Sequence, residues 1–267
     1  MRIALAQIIS TADPAANLRE VERVAELAAA DGAELVVFPE ATLCAFGGAD
    51  LGTVAEPLDG PWASSVRGLA ARLGTTLVVG TFTPGDDGRV RNTLLVAGPT
   101  PGDGAHYDKV HVFDAFGYAE SESVQPGDRA VTVRVAGETV GLATCYDVRF
   151  PGLFTANANA GAQVNIVCAS WGAGEGKTEQ WDLLVRARAL DSTTFVVACG
   201  QGDPETTGAG PAGAAPTGVG HSAIVTPLGK PVVALGGKPE LAVVDIDPAT
   251  VADVRAKLPV LANARRF

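Results

Sequence analysis

The chain has 267 residues, 47% hydrophobic and 19% charged, the proportions of a globular protein with a sizeable core rather than of a disordered one. A formal net charge of −10, with no Lys/Arg-rich run to offset it, argues against nucleic acid or an anionic membrane as a partner. No stretch reaches transmembrane length, the N-terminal apolar run is too short for a signal peptide, and the four cysteines lack CxxC or metal-ligand spacing. A soluble cytoplasmic protein with reduced thiols is the expectation.

Residues 3–8 read as an apolar strand. Pro14 opens a helix to about residue 30, with Leu18, Val21, Val24, Ala25, Leu27 and Ala28 as its buried stripe, and 34–38 is a second apolar run. Strand, helix and strand joined by short loops make a βαβ unit with a parallel pair. It ends in Pro39-Glu40, and a carboxylate at the C-terminal end of such a strand sits where α/β folds place ligands. A solvated loop charge is the plainer alternative for Glu40.

After a loop at 47–60, residues 62–73 form a helix closed by Gly74, and 75–83 pairs with 89–98 as a hairpin across a Pro-Gly-Asp-Asp-Gly turn. A loop at 99–104 leads into A-H-Y-D-K-V-H-V-F-D at 105–114, which alternates in character and carries Lys109 in its middle, either as a solvated strand charge or as an inward cation. A long connection at 114–128 contains Glu120, and long ordered loops often carry function.

A second hairpin, 131–135 with 139–143, leads into Cys145-Tyr146-Asp147, and a helix follows from about residue 150 with Pro151 suited to its first turn. A thiol at a strand-to-helix junction stands near backbone N–H groups and the positive end of a helix dipole, which favours the thiolate. A strand at 163–169, a helix at 177–191 with Trp181, Leu184, Val185 and Leu190 inward, and a strand at 193–200 come next. The Gly/Pro-rich stretch 201–220 reads as a surface loop, followed by strands at 222–226, 231–235 and 241–246 and a helix from Pro248 to about residue 258. The pattern predicts an α/β fold with two sheets, each covered by helices on its outer face. No composition shift marks a linker, so one domain spanning 1–267 is expected.

Glu40, Lys109, Glu120 and Cys145 stand at strand ends or strand-to-loop transitions. A cysteine nucleophile needs a base to take its proton and a donor for the oxyanion formed on attack. A desolvated carboxylate suits the first task, and a Lys beside it suits the second. A Cys–His pair is the rival, with His111 the open choice; spacing does not decide between them.

F-P-E at 38–40, Y-D-K-V-H-V-F-D at 107–114 and G-L-A-T-C-Y-D-V-R-F-P at 141–151 resemble the three signature blocks of the nitrilase superfamily, the carbon–nitrogen hydrolases. R-A-R-A-L-D at 186–191, G-H-S-A-I-V-T-P-L-G at 220–229 and R-A-K-L-P-V-L-A-N-A-R-R at 255–266 resemble later landmarks, so the likeness runs nearly end to end. The resemblance implies a Glu40–Lys109–Cys145 triad with Glu120 as an additional catalytic acid. It implies a four-layer α-β-β-α sandwich that assembles as a homodimer or higher homo-oligomer, and catalysis without a metal or organic cofactor. By similarity, Glu40 deprotonates Cys145, which attacks an amide carbon, while Lys109 and the Tyr146 N–H hold the oxyanion.

The Cys block, the A-R-A block and the C-terminal motif resemble the branch containing omega-amidases and deaminated-glutathione amidases more than true nitrilases. That likeness implies a small linear amide, an omega-amide of a 2-oxo dicarboxylate or deaminated glutathione, with Arg149 holding the far carboxylate by bidentate geometry. Ser170 and Trp171 are expected to line the pocket. Gly152 and Gln180 depart from that branch, where Glu and His are common. The alternatives are an N-carbamoyl amino acid hydrolase and a non-catalytic binding member of the fold.

Overall fold

The computed structural model describes residues 1–100, 104–208 and 215–265. The loops expected at 99–104 and 201–220 lie partly outside these residues, as does Arg266 of the last motif.

β1 (Arg2–Gln7), α1 (Pro14–Ala30) and β2 (Leu35–Val37) form the βαβ unit, and β1 and β2 are parallel, Ile3 opposite Leu35. The Asp13 carboxylate caps α1 by accepting from the Ala15 N–H at 2.9 Å, and Pro14 takes a first-turn position that needs no donor. Val21, Val24, Ala25 and Ala28 are buried, whereas Leu27 is 49% exposed. One residue before Ala28, it is turned about 100° round the helix from that position and falls outside the stripe.

α2 (Leu51–Val54) is a short helix within the expected 47–60 loop, too brief for a periodic signal. α3 (Pro61–Leu73) stops at Gly74, whose φ of +66° is the left-handed cap that glycine allows. β3 (Thr76–Pro84), β4 (Val90–Ala97) and β5 (Gly104–Asp108) follow as an antiparallel run. The connection then makes a small hairpin, β6 (Asp114–Ala115) with β7 (Tyr118–Ala119), and a 3-10 turn at Glu120–Glu122.

β8 (Thr132–Val135) and β9 (Glu138–Thr144) form the second hairpin. A 3-10 turn, Cys145–Arg149, separates β9 from α4 (Pro151–Asn159). β10 (Val164–Ala169), α5 (Lys177–Ser192) and β11 (Phe195–Gly200) continue the parallel part. On α5, Trp181 and Val185 are buried and Leu184 half-buried, but Leu190 is exposed, and Arg188 and Ala189 take the inward positions. Arg188 is tolerated there because its guanidinium donates to the Val148 carbonyl at 2.8 Å and pairs with Asp191. β12 (Ala223–Val225), β13 (Pro231–Ala234), β14 (Glu240–Asp245), α6 (Thr250–Lys257) and α7 (Val260–Asn263) complete the order.

The strands make two six-stranded sheets, β14-β1-β2-β3-β4-β5 and β13-β12-β11-β10-β9-β8. β14 crosses from the second half to pair antiparallel with β1, Arg2 opposite Asp245. Alternation along the strands decides the layering. Ile3, Leu5, Val37, Val78 and Leu94 meet Leu142, Ile166 and Val197 of the other sheet, while Ala4, Ala6, Val36, Leu77 and Val79 face α1 and α3. Each fully buried Val or Leu contributes about 1.5–3 kcal/mol. α4 and α5 cover the second sheet, giving the expected α-β-β-α sandwich. No helix among the described residues is long and apolar enough to cross a membrane.

Candidate active site

β2 ends in Phe38-Pro39-Glu40, and the chain turns so tightly that Ala41 has φ +58°. Gly80 of β3 makes the turn possible, since a Cβ there would lie 2.5 Å from the Pro39 carbonyl oxygen and 2.7 Å from the Glu40 Cα. Glu40 is fully buried. Its Oε1 accepts from Lys109 Nζ at 2.9 Å and Asn92 Nδ2 at 2.7 Å, and its Oε2 accepts from the Ser170 N–H at 2.7 Å. Gln201, at the end of β11, donates to the Glu40 carbonyl at 3.0 Å, so both sheets hold this residue.

Lys109 directly follows β5, and its ammonium bridges two carboxylates, lying 2.9 Å from Glu40 Oε1 and 2.8 Å from Glu120 Oε2. Glu120 begins the 3-10 turn, and its Oε2 also accepts from the Phe113 N–H at 2.6 Å. Asn92 Nδ2 donates to both acids, at 2.7 and 3.0 Å. Removing such ions from water costs several kcal/mol each unless their hydrogen bonds are replaced, and here they are. Two carboxyls face one ammonium. Burial, reinforced by the Glu120 charge and opposed by Lys109, raises the Glu40 pKa above the ordinary carboxylate value. Burial disfavours the Lys109 charge, but Glu120 and Glu40 outweigh it and hold its pKa well above normal.

Cys145 opens the turn after β9 with φ +48°, a strained conformation for a residue with a Cβ. Its Sγ lies 3.7 Å from the Ser170 carbonyl oxygen. The expectation of a stabilised thiolate is overturned. Burial, followed by the Glu40 charge, pushes the thiol well above its ordinary range, with Lys109 opposing. Burial is the main reason: the enclosed sulfur loses more hydration in its charged form than Lys109 returns, and Glu40 beside it adds to the penalty.

The buried Asp147 ties the Cys145 turn to the Lys109 strand. Its Oδ2 accepts from Tyr107 OH at 2.6 Å and the Thr144 N–H at 2.8 Å, and its Oδ1 accepts from the His111 N–H at 3.0 Å. His111, the rival base, has Nδ1 2.7 Å from Asp147 Oδ1 and its ring stacked on Phe150 at 3.7 Å. It does not line the cavity that holds Cys145.

That cavity, about 360 Å³ counting the open space at its mouth, brings Glu40, Lys109, Glu120 and Cys145 together with Ser170 and Trp171. Ser170 is committed to the frame: its N–H serves Glu40, and its hydroxyl donates to the Pro216 carbonyl at 2.7 Å. Trp171 forms wall, with its indole N–H on the Lys177 carbonyl at 2.8 Å. Neither Tyr146 nor Arg149 is part of the lining. The Tyr146 ring packs edge-on against Phe113 and Phe150. The Arg149 guanidinium donates to Gln180 Oε1 at 2.7 Å and lies 5.0 Å from the Trp171 ring, behind the wall. Phe46, Phe113, Tyr118 and Lys177, which the sequence did not single out, complete much of the surface. The sequence reading also missed Asn92, whose available signal was a polar residue in the inward stripe with Leu94 and Val96.

Two facing sheets with outer helices, and a buried carboxylate–ammonium–thiol set where their strands end, define a fold and site of the nitrilase kind. The chain belongs to the carbon–nitrogen hydrolase family, whose model matches residues 2–256. A Mycobacterium tuberculosis protein named as a hydrolase is 56% identical over 271 residues, covering 100% of this chain and 96% of that one. A deaminated glutathione amidase of Escherichia coli O157:H7 is 37% identical over 243 residues, 90% of this chain and 87% of its own length. A solved carbon–nitrogen hydrolase superfamily protein of Xanthomonas campestris, with an arsenic adduct in its active site, matches with a TM-score of 0.86 at 28% identity, covering 100% of this chain and 98% of that one.

Proposed function

We propose that the protein hydrolyses the terminal carbon–nitrogen bond of a small linear amide through a thioester on Cys145. The observation that carries this reading is the buried Lys109 ammonium bridging Glu40 and Glu120 in the cavity of Cys145. The raised thiol pKa makes a base necessary, and the raised Glu40 pKa brings that carboxylate closer to the thiol it must deprotonate. Glu40 takes the Sγ proton as sulfur attacks the amide carbon. The oxyanion is met by Lys109 Nζ and by the Tyr146 N–H, one of the opening amides of a 3-10 turn that have no intrahelical acceptor. Glu40 returns the proton to nitrogen, ammonia leaves, and water deprotonated by Glu40 hydrolyses the thioester. Glu120 keeps Lys109 charged and in place throughout.

The substrate we propose is an omega-amide of a 2-oxo dicarboxylate or deaminated glutathione, a reading supported by the Escherichia coli relative named for the latter. We read the chain as one domain, since Glu40 and Cys145 belong to opposite sheets and β14 of the second half closes the first sheet. Exposed Leu183, Leu228 and Leu258 favour a homodimer or larger homo-oligomer, and four free thiols suit the cytoplasm. Ammonia release from a panel of 2-oxo-acid amides and carbamoyl amino acids tests the reading, with Cys145→Ala as control. Release from the amides that vanishes in the variant is expected; no release from any of them, or release that survives in the variant, refutes it.

A further inference from the structure

The cavity contains a second cation that the proposed reaction does not use. Lys177 opens α5, where the helix dipole disfavours a positive charge, and yet it is only 9% exposed. Its Nζ stands 3.4 Å from the Phe116 ring centroid, 5.5 Å from that of Phe113 and 5.9 Å from that of Trp171. Among the described residues it forms no ion pair, and the strongest charge acting on it is that of another cation, Arg149. Arg149 is uncompensated as well, its hydrogen-bond partner being the neutral amide of Gln180. Burial and this repulsion together lower the Lys177 pKa. Two unpaired cations around one tryptophan, in a chain of net charge −10, form a local positive pole.

The position of Lys177 gives that pole a task. It lines the inner cavity with Cys145, Glu40 and Lys109, and it also lines the outer cleft with Phe116, Glu175 and Thr217. It therefore stands at the neck through which a ligand reaches the thiol. An ammonium offers three donors, and a flexible stem lets them leave an aromatic face for a better acceptor. We propose that Lys177, boxed by Phe113, Phe116 and Trp171, is the receptor for a carboxylate at the far end of the substrate. Arg149 then acts from behind Trp171 as a second positive charge rather than as the direct ligand. The inference rests on the amide-hydrolase reading and narrows it. A bound carboxylate compensates the pole, whereas a neutral amide of equal length leaves two cations unpaired.

The test compares kcat/KM for succinamate with that for the uncharged straight-chain amide of matching length. In the wild type the acidic amide is preferred. Lys177→Met lowers that preference about tenfold to a hundredfold, the worth of a charge-assisted hydrogen bond, chiefly through KM for succinamate. Lys177→Arg restores most of it, and Arg149→Met lowers it by less than tenfold. An equal loss for both amides in Lys177→Met assigns the lysine to holding Phe116 in place and overturns the proposal. So does a preference that survives Lys177→Met and collapses in Arg149→Met. Calorimetry of succinate binding to the Cys145→Ala protein gives a readout independent of turnover. If the wild type hydrolyses neither amide, the hydrolase reading fails for this class, and the lysine is judged by binding alone: weakened in Lys177→Met if the proposal holds, unchanged if it is wrong.

Discussion

Replacing Gly80 by Ala tests how the fold presents Glu40, the proposed base. The new Cβ would meet the Pro39 carbonyl oxygen at 2.5 Å, with the Glu40 Cα and the Ala41 N each at 2.7 Å. An ordinary carbon–oxygen contact is about 3.3 Å, so the turn must retreat by about 0.8 Å. The obstructing atoms are backbone, not the end of a flexible side chain. Glu40 is held by bonds of 2.7–2.9 Å from Asn92, Lys109 and Ser170, and a retreat of that size stretches them beyond useful length. Overpacking of this kind costs about 1–3 kcal/mol, which lowers Tm by about 2–10 °C in a chain of this size. A displacement near 1 Å at a reacting group costs about a hundredfold in rate. Ammonia release measured well below the melting transition should therefore fall about a hundredfold in kcat. Gly68→Ala is the control: on α3, with nothing within 4 Å of its Cβ, it should stabilise by about 0.5–1 kcal/mol and leave the rate unchanged. A Gly80→Ala enzyme with wild-type kcat and Tm would refute the argument that the missing Cβ sets the position of Glu40.

Asn92→Leu removes donors to both Glu40 and Glu120, worth about 1.5–3 kcal/mol each; kcat/KM should fall at least tenfold with a lower Tm, and an unchanged rate would exclude Asn92 from positioning either acid. The thiolate absorbance of wild type minus Cys145→Ser should stay flat through neutral pH and rise only above the ordinary value of 9.0, because burial and Glu40 favour the protonated thiol; a signal titrating below pH 7 would contradict the environment described for Cys145. Asp147→Ala leaves Tyr107 OH and the N–H groups of Thr144 and His111 without their acceptor, so a destabilisation of at least about 3 kcal/mol is expected in urea titration.

The layers were legible because alternation and helical spacing report which face of an element is apolar, as in α1, which starts at Pro14 and ends at Ala30 as the pattern predicted. Leu27 and Leu190 were misplaced because hydrophobicity alone does not distinguish the edge of a stripe from its centre. The pairing of β14 with β1 joins residues over 230 positions apart, and no local pattern reports such a contact. At the site, Glu40, Lys109, Glu120 and Cys145 were found from their places at strand ends together with the motif resemblance, and the fold brings all four to one cavity. Arg149 was assigned to the pocket from the resemblance to the omega-amidase branch, but the 3-10 turn leaves it out of the cavity lining and against the Trp171 ring. Lys177 had a signal that was not used, a cation at the disfavoured end of a helix. The thiol's protonation depended on burial and on the Glu40 charge, neither of which a spacing reveals.

The central claim is that the acyl group passes through a thioester on Cys145, and hydroxylamine partitioning tests it most directly. An amide and the methyl ester of the same acid should give the same ratio of hydroxamate to free acid, because both acylate one sulfur and then share one intermediate. Cys145→Ala should form neither product. Ratios that differ between amide and ester, or hydroxamate formed by the Cys145→Ala protein, would contradict the account.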